Sequence, residues 1–161
     1  MKMDPAHIIA RDKRIETPSG RLRQVAALVY RYHDGRMDVL LITSRGTGRW
    51  IIPKGWPQVG RTLSQAALRE AYEEAGVRGA VALQPIGSYT YEKTDLPPQA
   101  NGAFTVDVFP VHFSHQEEKF PERGERQDEW VTPEEAAERV DEPELKALLR
   151  SFGAARAMAA E

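Results

Sequence analysis

The sequence predicts an α/β protein in which a mixed β-sheet lies between helices, as an α/β/α sandwich. Three observations predict this class: an early pair of strand-like segments joined by a tight turn, a central strand–loop–helix unit, and two helix patterns at the C-terminal end. Since strands and helices are interspersed along one chain of 161 residues, we expect helices on both faces of one sheet. We expect a single domain over residues 1–161, with an N-terminal extension at 1–20 and C-terminal helices at 132–161.

The early strands form a predicted hairpin. Segment 23–45, RQVAALVYRYHDGRMDVLLITSR, has two apolar runs on either side of His33-Asp34-Gly35, a turn signal. The run RWIIP then predicts a short strand that leads into a loop containing proline and glycine.

Further strands are predicted after the central helix. The segment AVALQPIGSYTYEK at 80–93 predicts one or two strands, and FTVDVFPVHF at 104–113 alternates as a half-buried strand does. Between them, TDLPPQANGA at 94–103 predicts a turn-rich loop. In the C-terminal segment, Thr132-Pro133 is expected to open one helix and Pro143 the next.

A central helix is predicted between a capping signal at Thr62 to Gln65 and a stop at Gly76. Its second half, REAYEEAG, carries three glutamates within five residues. At about 100° per residue, Glu70, Glu73 and Glu74 share an arc of about 100°. The opposite side is expected to pack on the sheet, so that the carboxylates face away from the core; it carries Leu68, Ala71, Tyr72 and Ala75.

Two interpretations of this acidic face follow from its chemistry. Runs of charge are commonly no more than a solvated helix face. Clustered carboxylates also suit a hard divalent cation, Mg²⁺ or Mn²⁺, which takes oxygen ligands and keeps positions for water and phosphate.

Composition excludes several other classes of function. Lys and Arg total 22 against 24 Asp and Glu, a net charge of −2, so a broadly basic surface for nucleic acid is not expected. The absence of cysteine excludes disulfides and thiol chemistry. The N-terminal stretch MKMDPAHIIARDKR lacks the apolar run of a signal peptide, and no segment is long enough to span a bilayer. We expect a cytoplasmic protein, a monomer or homodimer, with no membrane partner.

The strand–loop–helix unit resembles the signature of the Nudix hydrolase family. The residues that fit the signature at the right spacings are Gly55, Arg69, Glu70, Ala71, Glu73, Glu74, Gly76 and Val77. One position departs from it, because Arg61 stands where the family has its first glutamate. In the family that glutamate mostly helps to fix the loop and the signature arginine, so the resemblance implies that a metal site can survive its loss. Arg61 itself either pairs with a carboxylate, faces a substrate phosphate, or is an ordinary loop arginine.

The resemblance implies metal-assisted hydrolysis of a phosphoanhydride bond. It places Mg²⁺, with Mn²⁺ as the other candidate, on the Gly55 carbonyl and on Glu70, Glu73 and Glu74, and either Glu70 or Glu73 serves as general base. Arg69 is expected to pair with Glu73 and to orient the glutamates. The alternative is a Nudix-fold module that binds a nucleotide-like ligand without cleaving it, as a sensor or regulator, and the departure at Arg61 keeps this alternative open.

Cations around the signature predict the class of substrate. Five of them precede or enter the signature loop, and together they suggest a polyphosphate clamp, although each alone is equally consistent with ordinary surface charge: Arg21, Arg23, Arg45, Arg49 and Lys54. Trp50, Trp56 and Trp130 are expected to pack in the core or at its rim rather than to stack on a base.

A charged stretch, EEKFPERGERQDEWVTPEEA, precedes the C-terminal helices and is by itself typical of a solvated loop. Its Arg126, Glu129 and Trp130, taken with RWIIPKGW, resemble the diphosphoinositol polyphosphate phosphohydrolase branch. That resemblance implies a polyphosphorylated small-molecule substrate, either a diphosphoinositol polyphosphate or a dinucleoside polyphosphate, with Arg126 as a further ligand. It also leaves open whether a loop glutamate reaches the metal; the candidates are Glu118, Glu122 and Glu125.

Overall fold

An eight-stranded mixed sheet flanked by three helices forms the part of the chain that the structure describes. The computed structural model describes residues 12–93 and 102–160. The strands are β1 Leu22–His33, β2 Arg36–Thr43, β3 Trp50–Ile51, β4 Lys54–Gly55, β5 Val77–Val81, β6 Gly87–Glu92, β7 Ala103–Gln116 and β8 Asp128–Val131. The helices are α1 Leu63–Ala75, α2 Pro133–Arg139 and α3 Pro143–Ala160, and a short 3₁₀ turn covers Lys13–Ile15.

Strand β1 is the centre of the sheet. It pairs in parallel with β7 from Leu22 opposite Phe104 to Tyr30 opposite His112. On its other edge, β1 pairs antiparallel with β2 near its end and with the two-residue strand β4 near its start. Strands β5 and β6 pair with the far edge of β7, while β3 and β8 pair with β2. The predicted mixed sheet is therefore confirmed.

Both faces of the sheet are covered by helices, so β1 is buried on both sides. Ala26 and Leu28 belong to the core under α2 and α3, and Val25, Ala27 and Val29 belong to the core under α1. Helix α1 supplies four small residues to that second core, Ala66, Ala67, Ala71 and Ala75. Small side chains let the helix axis lie close to the sheet, and the predicted α/β/α layering is confirmed.

Several elements differ from the sequence expectations. Strand β7 alternates only over its first half, because the segment 109–111 is buried on both faces between β1, β5 and α1. Strand β5 begins at Val77, directly after the helix and before the predicted segment at 80–93. The segments Lys54–Gly55 and Asp128–Val131 are strands that the sequence did not predict. The predicted loop at 94–103 lies largely outside the described residues, as does most of the proposed N-terminal extension.

The boundaries of α1 are those that the sequence predicts. Thr62 and Gln65 form a reciprocal capping box at its start, and Gly76 ends it in the left-handed conformation, with φ of 72°. Among the described helices, none is long and apolar enough to cross a membrane. The single-domain boundaries stay a prediction.

The end of α1 is covered by the loop that follows β7. The side-chain amide of Gln116 donates to the Ala75 carbonyl at 2.7 Å, and the amide N–H of Glu117 donates to the Gly76 carbonyl at 2.8 Å. The N–H of Glu122 donates to the Glu73 carbonyl at 2.9 Å. These bonds satisfy carbonyls that a helix end leaves unpaired, and they fix the loop beside the glutamates of α1.

Replacing Gly76 with alanine should destabilise this junction. A Cβ at that position would lie 2.5 Å from Cδ1 of Phe120, in addition to the backbone strain of a positive φ. We expect the free energy of unfolding in urea to fall by about 2–4 kcal/mol. Gly124→Ala is the matched control, because Gly124 has φ of 84° and no atom near its missing Cβ. Equal losses for the two variants would show that the Phe120 contact is unimportant.

Candidate active site

Glu70 lies directly against the backbone of Gly55. The strand β4 places Gly55 opposite Val25 of the central strand, and α1 passes over it. A Cβ added to Gly55 would stand 2.1 Å from Oε1 of Glu70, so only glycine permits this approach. The Glu70 side chain is buried, and Nε2 of Gln58 donates to its Oε2 at 3.4 Å.

Glu74 is buried beside the same loop. The backbone N–H of Lys54 donates to its Oε1 at 3.2 Å, and Nη2 of Arg126 lies 3.5 Å from its Oε2. The sequence expectation that these carboxylates face away from the packed part of the protein is therefore wrong for Glu70 and Glu74. The reason is that β4 and its loop cover the acidic face of α1.

Glu73 is the most exposed of the three glutamates. Its Oε1 lies 3.4 Å from Nε of Arg69, which confirms the predicted ion pair along the helix. Tyr72, predicted to face the core, instead lies between two guanidinium groups, with Arg69 at 5.0 Å and Arg78 at 3.8 Å from its ring. Whether Arg69 orients the other glutamates stays a prediction.

A chain of alternating charges joins the helix to the surface. Arg126 contacts Glu74 and also donates to Oε1 of Glu122 from Nη2 at 2.9 Å and from Nε at 3.2 Å. Nε of Arg45 lies 3.6 Å from that same oxygen of Glu122, and its Nη1 donates to Glu125 at 2.8 Å. The hydrogen bond to Glu125 raises the pKa of Arg45 above its usual value.

A cavity of about 240 Å³ opens beside Glu74 and Gly55. Three of the cations predicted to bind substrate line it, and the full lining is Gln24, Ser44, Arg45, Ile51, Lys54, Gly55, Trp56, Glu74, Tyr91, Lys93, Phe104 and Arg126. Burial raises the pKa of Tyr91, so its hydroxyl stays protonated and pairs with Oε1 of Gln24. The cavity therefore joins cations, a carboxylate and aromatic rings.

The other predicted substrate cations lie outside this lining. Arg21 contacts the Phe104 carbonyl at 3.2 Å and Glu92 at 3.6 Å. Arg23 pairs with Asp107. Arg49 pairs with buried Glu142 at 3.0 Å and with Asp141 at 3.6 Å. The structure thus places Arg21, Arg23 and Arg49 on other carboxylates or carbonyls, and their assignment to substrate stays a prediction.

The tryptophans are divided between packing and the cavity. Trp56 lines the cavity, with its ring 5.8 Å from that of Phe104. Trp50 packs against the core under α2 and α3, and Trp130 packs against the core under α1. Glu129 pairs with Arg139 at 2.7 Å, at the surface.

Gln58 and Lys93 are site residues that the sequence reasoning missed. Gln58 lies between Pro57 and Gly60 in the loop before α1, and this position gave no sign that its amide would reach Glu70. Lys93 ends a predicted strand, where a lysine is ordinarily taken as solvated. Arg61, the departing residue, is exposed, and its backbone N–H donates to the Gln58 carbonyl at 3.0 Å.

The donor chemistry of the site fits a hard divalent cation. Glu70, Glu73, Glu74 and the Gly55 carbonyl offer oxygen alone, from one helix face and the loop that it covers. Within 12–93 and 102–160, no three acidic or histidine side chains are already grouped to hold an ion. Each of the three glutamates contacts protein groups instead. Binding therefore requires the carboxylates to exchange some protein contacts for the ion.

Comparison with known proteins gives a family for this fold and site. A model of the NUDIX domain matches residues 21–152. Nudix hydrolase 21, chloroplastic, of Arabidopsis thaliana is 32% identical over 146 residues, which cover 88% of this chain and 71% of that protein. Two solved structures share the fold. The C. elegans Ap4A hydrolase has a TM-score of 0.60 at 23% identity, covering 83% of this chain and 97% of its own. The NUDIX domain of Shewanella oneidensis NrtR, complexed with ADP ribose, has a TM-score of 0.61 at 20% identity, covering 93% and 99%.

The chain belongs to the Nudix family, and its relative in Arabidopsis thaliana is named a Nudix hydrolase. This confirms the resemblance seen in the signature and supports pyrophosphohydrolase activity. Nudix hydrolases generally use divalent metal ions. The chain spans only part of the curated relatives it matches, 71% of one and 52% of another. The predicted diphosphoinositol branch is not distinguished by these matches.

The contact between Gly55 and Glu70 can be tested by a double-mutant cycle. Gly55→Ala should force Glu70 out of place and lower the free energy of unfolding by about 1–3 kcal/mol. Adding Glu70→Ala should recover part of that loss, because the alanine removes the atoms that clash. Chemical denaturation of the single and double variants measures the coupling. Strictly additive losses would contradict the close approach.

Proposed function

We propose that this protein is a divalent-cation-dependent hydrolase that cleaves a phosphoanhydride bond in a polyphosphorylated small molecule. The observation that carries the proposal is that Glu70 and Glu74 of α1 contact the loop at 54–58, beside a cavity lined by Arg45, Lys54 and Lys93. A phosphate chain needs cations along its oxygens and a carboxylate-held ion at the scissile bond, and this cavity offers both kinds of group. The relative in Arabidopsis thaliana is named a Nudix hydrolase, which agrees with hydrolysis.

Glu70, Glu73 and Glu74, with the Gly55 carbonyl, would hold the cation, Mg²⁺ or Mn²⁺. The bound ion supplies charge neutralisation of the phosphates and a lowered pKa of the attacking water. The chain's own residues do the rest. Gln58 orients Glu70, and the Lys54 N–H orients Glu74. The general base that accepts the proton of the water is either Glu70 or the more exposed Glu73.

Arg45 and Lys54 would bind the non-bridging oxygens of the phosphate chain. The Arg45 guanidinium is held at the cavity by its hydrogen bond to Glu125, and the Lys54 ammonium lies 5.1 Å from the ring of Tyr91. Because Arg21, Arg23 and Arg49 are not in the cavity lining, fewer cations face the substrate than the sequence suggested. The cavity is correspondingly less suited to a substrate recognised by phosphate alone.

Aromatic side chains in the cavity favour a dinucleoside polyphosphate over a diphosphoinositol polyphosphate. Trp56 and Tyr91 line the cavity and pack against Phe104, whose ring is 4.8 Å from that of Tyr91. Flat rings at the mouth of a cationic site stack on nucleobases, whereas an inositol ring carries phosphates in every direction. Turnover of a dinucleoside polyphosphate should therefore exceed that of an inositol pyrophosphate, in a phosphate-release assay with both.

The alternative is a Nudix module that binds such a ligand without cleaving it. Arg61 in place of the signature glutamate is the feature that favours it. Binding of the dinucleotide by calorimetry, together with no release of phosphate in Mg²⁺ or Mn²⁺, would support this alternative over the hydrolase.

Glu74→Gln should abolish most turnover. The amide keeps the shape of the side chain but removes a charged oxygen ligand, so kcat/KM should fall about 10²-fold or more. Circular dichroism should show a folded protein. Glu138→Gln, an exposed glutamate of α2, is the matched control and should keep wild-type kinetics. Near-full cation-dependent activity in Glu74→Gln would remove the acidic face of α1 from the mechanism.

Arg45→Gln combined with Lys54→Gln should raise KM about tenfold while changing kcat little, because these cations bind ground state and transition state alike. KM of the wild type should also rise with salt, as screening weakens the attraction. Arg36→Gln with Arg150→Gln removes the same charge from the lining of a different cavity and should leave KM unchanged. An unchanged KM in the first double variant would contradict the assigned substrate contacts.

A further inference from the structure

Arg126 lies between two carboxylates from different parts of the chain. Its side chain is 7% exposed, and it contacts Glu74 of α1 at 3.5 Å and Glu122 of the loop at 2.9 Å. The Glu74 side chain is 1% exposed and that of Glu122 is 11% exposed. A single guanidinium thus neutralises two acidic groups that would otherwise repel each other in a poorly solvated place.

The position of this guanidinium is fixed by the end of β2. Nη1 of Arg126 donates to the Thr43 carbonyl at 3.0 Å. The neighbouring residue Gln127 forms two further hydrogen bonds with Thr43. The Gln127 N–H donates to Oγ1 of Thr43 at 2.9 Å, and the Thr43 N–H donates to the Gln127 carbonyl at 3.0 Å. Arg126 therefore belongs to the packed part of the protein, and its described contacts leave little room for a substrate phosphate.

We infer that Arg126 is a positioning residue that acts as an internal counter-ion, neutralising Glu74 and Glu122 and competing with the divalent cation for the Glu74 carboxylate. This inference rests on the proposed function, which assigns Glu74 to the cation. The ion and the guanidinium would both be attracted to Glu74 and would repel each other. Arg126 thus sets the cation concentration at which the site fills.

The arrangement also explains how Arg126 can lose its contact with Glu74 and still keep hydrogen-bond partners. Two of its nitrogen atoms donate to the same oxygen of Glu122, and a third donates to the Thr43 carbonyl. Its link to Glu74 is the longest of these contacts. The cation can therefore displace that contact while Arg126 keeps Glu122 in place beside α1.

Arg126→Gln should reveal the competition in the absence of substrate. Without the counter-ion, the variant should unfold at a lower temperature in EDTA, because Glu74 and Glu122 each lose the contact with Arg126. Its gain in Tm on adding Mg²⁺ should exceed that of the wild type, and its Kd for Mg²⁺ by calorimetry should be about tenfold tighter. These readouts need no catalytic turnover.

Arg139→Gln is the matched control. Arg139 also links two glutamates, Glu129 at 2.7 Å and Glu135 at 2.9 Å, but it lies at the surface away from the cavity. Its removal should leave both the Mg²⁺-dependent gain in Tm and the Kd for Mg²⁺ at wild-type values.

The outcomes separate this inference from the proposed function. An equal Mg²⁺ gain in wild type and Arg126→Gln, or a weaker Kd in the variant, would overturn the counter-ion role and leave the metal site standing. No Mg²⁺ or Mn²⁺ response in the wild type would overturn both. If Arg126→Gln does not fold in EDTA, the Mg²⁺ titrations of the wild type and of Arg126→Gln are run in sucrose, an osmolyte that favours the folded state. A tighter Kd in that variant supports the inference, and a wild-type Kd overturns it.

Discussion

The contact of Glu70 with the backbone of Gly55 is the constraint on which the rest of the site depends. A side chain at position 55 would occupy the space of the carboxylate, so α1 can cross the loop at this distance only over glycine. The loop is in turn paired with the central strand through Val25. The same contact therefore sets the distance of the helix from the sheet and brings Glu74, one turn further along, to the N–H of Lys54.

Burying two carboxylates at this junction has a large desolvation cost, and the surrounding polar groups offset it. Gln58 donates a hydrogen bond to Glu70. Glu74 accepts a hydrogen bond from the Lys54 N–H and pairs with Arg126. These partners come from two segments that are distant in sequence, the loop at 54–58 and the loop after β7. The site is consequently assembled by the fold as a whole, and the loop after β7 is part of it because it caps α1 and carries Arg126.

The elements with local signals were predictable from the sequence. The capping box at Thr62, the stop at Gly76 and the turn at His33-Asp34-Gly35 all depend on neighbouring residues, and the structure has each of them. The burial of Glu70 and Glu74 was not predictable, because it depends on pairing between β4 and β1 across thirty positions. Helical periodicity identifies which residues share a face, but it does not identify what covers that face. Long-range contacts also explain why only part of the predicted cation group lines the cavity. Arg21, Arg23 and Arg49 pair with carboxylates elsewhere in the chain.

The contacts of Arg69 and Gln58 explain how the site can lack the signature glutamate that Arg61 replaces. The family's glutamate at this position helps to fix the loop and the signature arginine. Here Arg69 pairs with Glu73 on its own helix, and the loop is fixed at the Gln58 carbonyl, which accepts bonds from Nη2 of Arg14 at 2.9 Å and from the Arg61 N–H at 3.0 Å. Both tasks are thus performed by other groups, and the carboxylates of α1 keep their places. The loss of that glutamate therefore bears on how the loop is held and leaves the oxygen donors of the proposed metal site intact.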